Sequence, residues 1–211
     1  MYLVIFSSAD KFISEVYIVN TLFRNGLKTF HLKKPNFSKK KLKNYISEID
    51  DKYHNRIIIH SHYSLSLSYK LKGIHLSKAI LLKKIKCRFI INFYKLLDRK
   101  FVFTRTFTKT DDLINISSVF SYVFLAPIYT NNDKEKKKYT FEVSSLKRIL
   151  QNSSIDIYAR GRIDINNFKD LKSLNFKGIS LLKTIWHNDT QPLNEFLSAA
   201  ETIGKLNEIT T

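Results

Sequence analysis

Eight short apolar runs, separated for the most part by helix-like stretches, constrain this chain of 211 residues more than any single motif does. They are Tyr2–Phe6, Thr29–Leu32, Arg56–His60, Gly73–Leu76, Phe101–Arg105, Tyr122–Leu125, Asp156–Ala159 and Gly178–Leu182. Ile57-Ile58-Ile59 and Val123-Phe124-Leu125 are apolar without alternation, as parallel strands covered on both faces require. Parallel neighbours need crossovers, and helical spacing appears between the runs. In Asp10–Asn25 the residues Phe12, Ile13, Val16, Val19, Leu22 and Phe23 share one helical face, and Gly26 stands where such a helix would stop. Ser38–Ile49, Glu142–Leu150, Asn166–Leu174 and Pro192–Leu206 also read as helices, with Ser38 and either Asp164 or Asn166 as N-caps. Residues 81–100 suit a helix or an extra strand equally. Eight strands alternating with helices predict an α/β fold, a single (β/α)8 TIM barrel over residues 1–211, near the lower size limit for that architecture. A doubly wound open sheet is the alternative, but no Gly-x-Gly-x-x-Gly turn follows the first strand.

Composition fits one compact domain. The chain is 44% hydrophobic and 13% aromatic, far from a disordered chain, and its five Gly and three Pro leave little for a flexible linker. Lys and Arg number 36 against 18 Asp and Glu, a net charge of +18. Such a field suits nucleic acid, an anionic membrane or phosphorylated metabolites. Lys, Asn, Ile, Phe and Tyr are enriched together, so compositional bias accounts for much of the excess. The lysines are spread along the chain and no basic helix is interleaved with exposed aromatics, which argues against nucleic acid. Cys87, the sole cysteine, excludes an intrachain disulfide and a thiolate zinc cluster. Its basic neighbours Lys86 and Arg88 could lower a thiol pKa, while the commoner role is a small packed residue. Met1–Phe6 lacks a basic leader and reads as a strand rather than a signal peptide, and polar residues interrupt the uncharged stretch 113–132. A cytoplasmic protein is expected.

In barrels of this kind the chemistry sits where strands end and the following loops begin. Those places hold His31-Leu32-Lys33-Lys34-Pro35, His60-Ser61-His62, His75, Thr104-Arg105-Thr106, Pro127 with the loop around Lys134, Gly161-Arg162 and Lys183. Lys33, Lys34, Lys134, Arg162 and Lys183 would ring one mouth with positive charge suited to phosphate or pyrophosphate. His60 and His62, two apart on a strand, would share a face, and with His31 and His75 could approach a metal. A buried, hydrogen-bonded histidine is the plainer role.

Taken in order, several segments resemble the thiamine phosphate synthase and TenI family of TIM barrels, and most closely its short, divergent Bacteroidetes-type members. They are Gly26–Pro35, Asn55–Tyr63, Lys72–Leu76, Tyr122–Tyr129, Ala159–Asp164 and Phe176–Ile179. The resemblance implies a transferase of thiamine biosynthesis. It would join hydroxymethylpyrimidine pyrophosphate to thiazole phosphate and release pyrophosphate, with Mg²⁺ held by two aspartates. By position, His31 stands where the family has a pyrimidine-contacting Gln, and Lys33 where it has a pyrophosphate-binding Arg. Lys34 neighbours Pro35, which takes a lysine's place. Thr106 matches a pyrophosphate-binding Ser, and Lys134 matches the lysine after the sixth strand. Other positions differ. His60-Ser61 replaces Asn-Asp and Ile80 the second aspartate, so both Mg²⁺ ligands are lost. Arg162 replaces a glycine and, in the loop with Leu182, Lys183 replaces a small residue, both in phosphate-binding loops. Thr108 stands where the TenI branch has an acid/base histidine.

Three functions follow. One is a synthase in which side-chain cations substitute for Mg²⁺. Another is a non-catalytic or regulatory binder of phosphorylated thiazole or thiamine ligands. The third is a histidine-based metal site with another activity. The implied partners are phosphorylated small molecules and, for some arrangements, a second copy in a homodimer, with no nucleic acid or membrane.

Overall fold

The computed structural model describes residues 1–9, 14–130, 139–187 and 191–208. Its strands are β1 (Tyr2–Phe6), β2 (Phe30–Leu32), β3 (Ile57–Ile59), β4 (Gly73–His75), β5 (Val102–Phe107), β6 (Tyr122–Leu125), β7 (Asp156–Arg160) and β8 (Gly178–Leu181). All pair in parallel in sequence order, and β1 closes the barrel onto β8 from Tyr2 opposite Gly178 to Ile5 opposite Leu181. Around them lie α1 (Glu15–Arg24), α2 (Lys39–Ser47), α3 (Ser64–Ser68), α4 (Lys78–Leu82), α5 (Lys84–Leu97), α6 (Val143–Asn152), α7 (Phe168–Ser173), α8 (Lys183–Trp186) and α9 (Pro192–Glu208). Residues 81–100 are therefore largely helical, with no extra strand. Between β5 and β6 the chain makes only a short 3-10 turn, Asp111–Leu113. No helix among the described residues is long and apolar enough to cross a membrane.

The local signals act as their chemistry dictates. Ser38 caps α2 by accepting from the Lys41 N–H at 3.3 Å. Asp164 and Asn167 form a reciprocal capping box, so Asp164 is the cap before α7. Gly26, at φ +100°, turns the chain out of α1. The expected start of the first helix, at residues 10–13, lies outside the described residues, as does the lysine run 134–138.

Strand alternation divides the core in two. Ile5, Phe30, Leu32, Ile57, Ile59, Ile74, Phe103, Val123, Leu125, Ile157 and Ile179 belong to the large cluster under the helices. Val4, Phe6, Ile58, Tyr122, Phe124 and Tyr158 fill the barrel interior. Glycine makes two of the interior contacts possible. A β-carbon on Gly178 would meet the Tyr158 ring at 2.7 Å, and one on Gly73 would overlap the Val102 carbonyl.

Gly73→Ala should therefore destabilise the chain by about 3 kcal/mol or more, as overpacking against backbone has no soft neighbour to yield. Gly204→Ala, in α9 with nothing within 4 Å of the added carbon, should stabilise by about 0.5–1 kcal/mol. Urea midpoints that move in the same direction for both variants would refute this account.

Candidate active site

The C-terminal ends of the strands open onto a cavity of about 570 Å³. It is lined by Lys33 and Pro35 after β2, His60 and Ser61 after β3, and His75 to Lys78 at and after β4. Arg105 to Lys109 of β5 and its loop, Asp112, and Arg160 at the end of β7 complete the wall. Inward alternation places Thr106 above Thr104 and Arg160 above Tyr158, whereas Arg105 and Phe107, of the opposite parity, reach the wall from the end of β5.

Beneath the cavity the histidines of three successive strands meet. His31 Nδ1 lies 3.0 Å from His60 Nε2, while His31 Nε2 lies 2.7 Å from the Tyr122 hydroxyl. His75 Nδ1 is 2.8 Å from Thr104 Oγ1, and its Nε2 is 3.3 Å from Thr106 Oγ1. The His60 and His75 rings stack at 4.2 Å. Burial holds all three toward the neutral form; the charge of His75 and then Arg160 reinforces this for His31 and His60, and Arg160 and Lys33 reinforce it for His75, which is pushed down to about 3. Tyr122 is pushed upward by burial.

The cations here are also partly desolvated. Arg160 lies 4.2 Å over the Phe6 ring and its Nη1 reaches Thr106 Oγ1 at 3.5 Å, with burial lowering its pKa. Burial and then the nearby Arg160 charge lower Lys33. Arg105 stacks 3.8 Å over Phe107, and its buried Nε has no hydrogen-bond partner among the described residues. Burial lowers its pKa, opposed by Asp112.

Not every expected residue is here. Lys33, His60 and Thr106 line the cavity, and His31 forms its floor through His60. Lys34 is not a rim cation. Although its chain borders the cavity, it is 2% exposed and its ammonium pairs with buried Glu15 of α1. The Ser8 N–H donates to the same carboxylate at 3.0 Å. Arg162, Leu182 and Lys183 lie at the β7 and β8 ends but do not line this cavity. Those two loops are tied by the Thr184 hydroxyl, which donates to the Ile163 carbonyl at 2.9 Å. Arg162 has φ +57°, a left-handed conformation that accounts for glycine at this position in the resemblance. Lys134 lies outside the described residues. His62 is exposed at φ +50°, past the end of β3, so it does not share the face of His60. The Cys87 thiol is pushed up by burial, not lowered by its neighbours.

Sequence reasoning named Arg105 at the end of the fifth strand without giving it a role, and missed Arg160, although strand parity carried the signal for Arg160. The Mg²⁺ implied by the resemblance needs hard oxygen donors. Ser61 offers a hydroxyl, Ile80 offers nothing, and Asp112 is the one carboxylate among the described lining residues. Arg105 faces that carboxylate, and the remaining charges are positive. These residues do not fit Mg²⁺.

A family model described as thiamine monophosphate synthase matches residues 1–185. A thiamine-phosphate synthase from Clostridium tetani is 31% identical over 140 residues, covering 66% of this chain; the chain spans 64% of that relative's length. One from Vibrio campbellii is 25% identical over 142 residues, covering 67% of each chain. The solved thiamine phosphate pyrophosphorylase from Bacteroides thetaiotaomicron superposes with a TM-score of 0.75 at 22% identity, covering 97% of this chain and 98% of that one. That last likeness concerns the fold.

Lys34→Met should cost about 3–5 kcal/mol, because it strands the Glu15 carboxylate in the interior. Glu15→Gln added to Lys34→Met should restore much of the loss; a double variant as unstable as the single one contradicts the pairing. The histidines add an acid limit. Their folded-state pKa values lie below the unfolded value of about 6.5, so the unfolded chain binds more protons as pH falls. Stability should be complete above about pH 6.5 and decline below it, toward the folded value of about 3 for His75. The slope should reach up to ~1.4 kcal/mol per pH unit for each histidine. Equal urea midpoints at neutral pH and near pH 5 would exclude that behaviour.

Proposed function

This chain belongs to the thiamine monophosphate synthase family, and on that premise we propose that it is a transferase joining hydroxymethylpyrimidine pyrophosphate to thiazole phosphate. The observation that carries the reading is the convergence of Lys33, Arg105 and Arg160 with Thr106 in one cavity at the strand ends. In this coupling the thiazole nitrogen forms a bond to the pyrimidine's methylene carbon. The bond from that carbon to the pyrophosphate oxygen breaks, and negative charge grows on the departing group.

Fixed cations stabilise such charge most where water is excluded. Arg160, packed over Phe6, meets that condition before any ligand arrives, while Lys33 brings its charge from the more exposed wall of the cavity. Thr106 offers a hydroxyl between Arg160 and His75 to the same oxygens. Arg105 has a buried N–H to donate. His31 and His60, neutral and ringed by Phe6 and Phe124, suit a planar heteroaromatic ring better than a phosphate. We assign the thiazole phosphate to the β7 and β8 loops. There the side chains of Arg162 and Lys183, beside Leu182, would do what backbone amides do around glycine; Lys134, which the resemblance adds to this set, lies outside the described residues. Lys34 acts at one remove, by holding Glu15 and with it the start of α1.

A second reading has its own support. Ser61 and Ile80 supply no carboxylate where the resemblance expects two, so the chain could bind phosphorylated thiazole or thiamine ligands without turnover.

Purified chain supplied with both substrates, with and without added Mg²⁺, should form thiamine phosphate at rates that Mg²⁺ changes little. Arg160→Met should lower kcat/KM by roughly 100- to 1000-fold, the loss typical when one charge-stabilising donor is removed. No product under either condition removes the transferase reading. Calorimetric binding of thiamine phosphate without turnover would then favour the second one.

A further inference from the structure

We propose that His31, His60 and His75 form a three-nitrogen site for a first-row divalent metal of the Zn²⁺ or Co²⁺ type, with its fourth position open to the cavity. Each histidine offers one ring nitrogen, and these atoms lie within 4.8 Å of one another. The His31 Nδ1 to His60 Nε2 separation is 3.0 Å. In a tetrahedral site with Zn–N of about 2.0–2.1 Å, neighbouring nitrogens stand roughly 3.3 Å apart. A metal would therefore draw the outermost pair together by no more than about 1.5 Å.

The surroundings favour ligation over a bare cluster of rings. A ligating histidine is normally oriented by a partner on its other nitrogen. His31 has that partner in the Tyr122 hydroxyl at 2.7 Å, which leaves Nδ1 facing the cluster. His75 has it in Thr104 Oγ1 at 2.8 Å, which leaves Nε2 as the ligand atom, and the metal would replace the longer contact of that nitrogen with Thr106 Oγ1 at 3.3 Å. Phe6 stacks on His31 at 4.6 Å and Phe124 stands edge-on at 5.1 Å, giving the apolar wall that limits water access. His60 and His75 also line the cavity, so an ion has a route in.

Imidazole nitrogen selects this class of metal over Mg²⁺, which prefers oxygen. The adjacent charges of Arg160 and Lys33 would repel a bare dication. They are offset when the fourth ligand is an anion, such as hydroxide or a phosphate oxygen. The same cations that suit a phosphate thus specify the charge of the open position. Metal binding here does not depend on the transferase reading, since it needs neither the pyrimidine nor the thiazole.

The test titrates chelator-treated protein with Zn²⁺ by calorimetry and with Co²⁺ by visible absorption. One equivalent should bind, and Co²⁺ should give the intense bands of four-coordinate geometry. His60→Gln and His75→Gln should each weaken binding by about 100-fold or more. Thr104→Val, which keeps the ligands and nearly the same side-chain shape, should weaken it by roughly 10- to 100-fold. His62→Gln and His187→Gln, both at exposed positions, should bind as the parent does. Thermal melts of the metal-free variants report folding, and Thr104→Val keeps the test open if a histidine variant unfolds. Absence of a stoichiometric site overturns the proposal. So does binding that survives both His60→Gln and His75→Gln, or binding that is lost with His62→Gln.

Discussion

Closure of the sheet is the constraint on which everything else rests. An eight-stranded barrel has no edge, so every backbone group of a strand finds a neighbour and every second side chain must point into a narrow interior. This chain fills the lower interior with Val4, Ile58, Tyr122, Phe124 and Tyr158, and makes room for one of those rings by placing Gly178 against Tyr158. Toward the C-terminal end the same inward positions become His31, His60, His75, Thr104, Thr106 and Arg160. The site is thus the last layer of the core rather than an addition to it. Its side chains are rigid because the strands that carry them are rigid.

That origin explains the electrostatics. Groups inherited from a core layer are desolvated before any ligand arrives, which lowers the imidazoles toward neutrality and weakens the hold of Lys33 and Arg160 on their protons. A layer built this way costs stability, because Arg160 has lost water and, among the described residues, pairs with no carboxylate. Lys34 shows the other solution. Its ammonium is more deeply buried than either cation and is paired with Glu15. Two lysines adjacent in sequence therefore sit in opposite surroundings, Lys34 buried against Glu15 of α1 and Lys33 exposed at the cavity wall.

The eight strands were legible in the sequence because burial on both faces leaves a run such as Ile57-Ile58-Ile59 that few other structures would want. Helix α5 was less legible. It carries apolar residues all round, burying Cys87 and Tyr94 while Ile85, Phe89 and Leu96 stay exposed, so neither helical nor strand periodicity stood out. In the site, His31, His60 and His75 were legible as strand-end residues. His62 was misread because a left-handed residue after β3 breaks the alternation that a strand would have kept. The pairing of Lys34 with Glu15 joins positions nineteen apart in a loop and a helix, a contact no local pattern encodes. Arg160 was recoverable, since a strand that sends Ile157 and Ala159 outward must send Tyr158 and Arg160 inward.

The net charge of +18 therefore explains less about the site than its placement does. Most lysines are solvated and screened within about 10 Å at ordinary ionic strength. Only cations held by the barrel beside aromatic rings act at low dielectric on whatever enters. An aspartate pair lost from such a layer can be answered by bringing side-chain positive charge to the anion, or by changing the donor atoms and with them the metal. On the proposed function Arg160, held over Phe6, gives the first answer with Lys33 beside it, and the proposed three-imidazole site gives the second. The two are compatible where the anion in the cavity is also the fourth ligand of the metal, since its charge then offsets the ion and the neighbouring cations together.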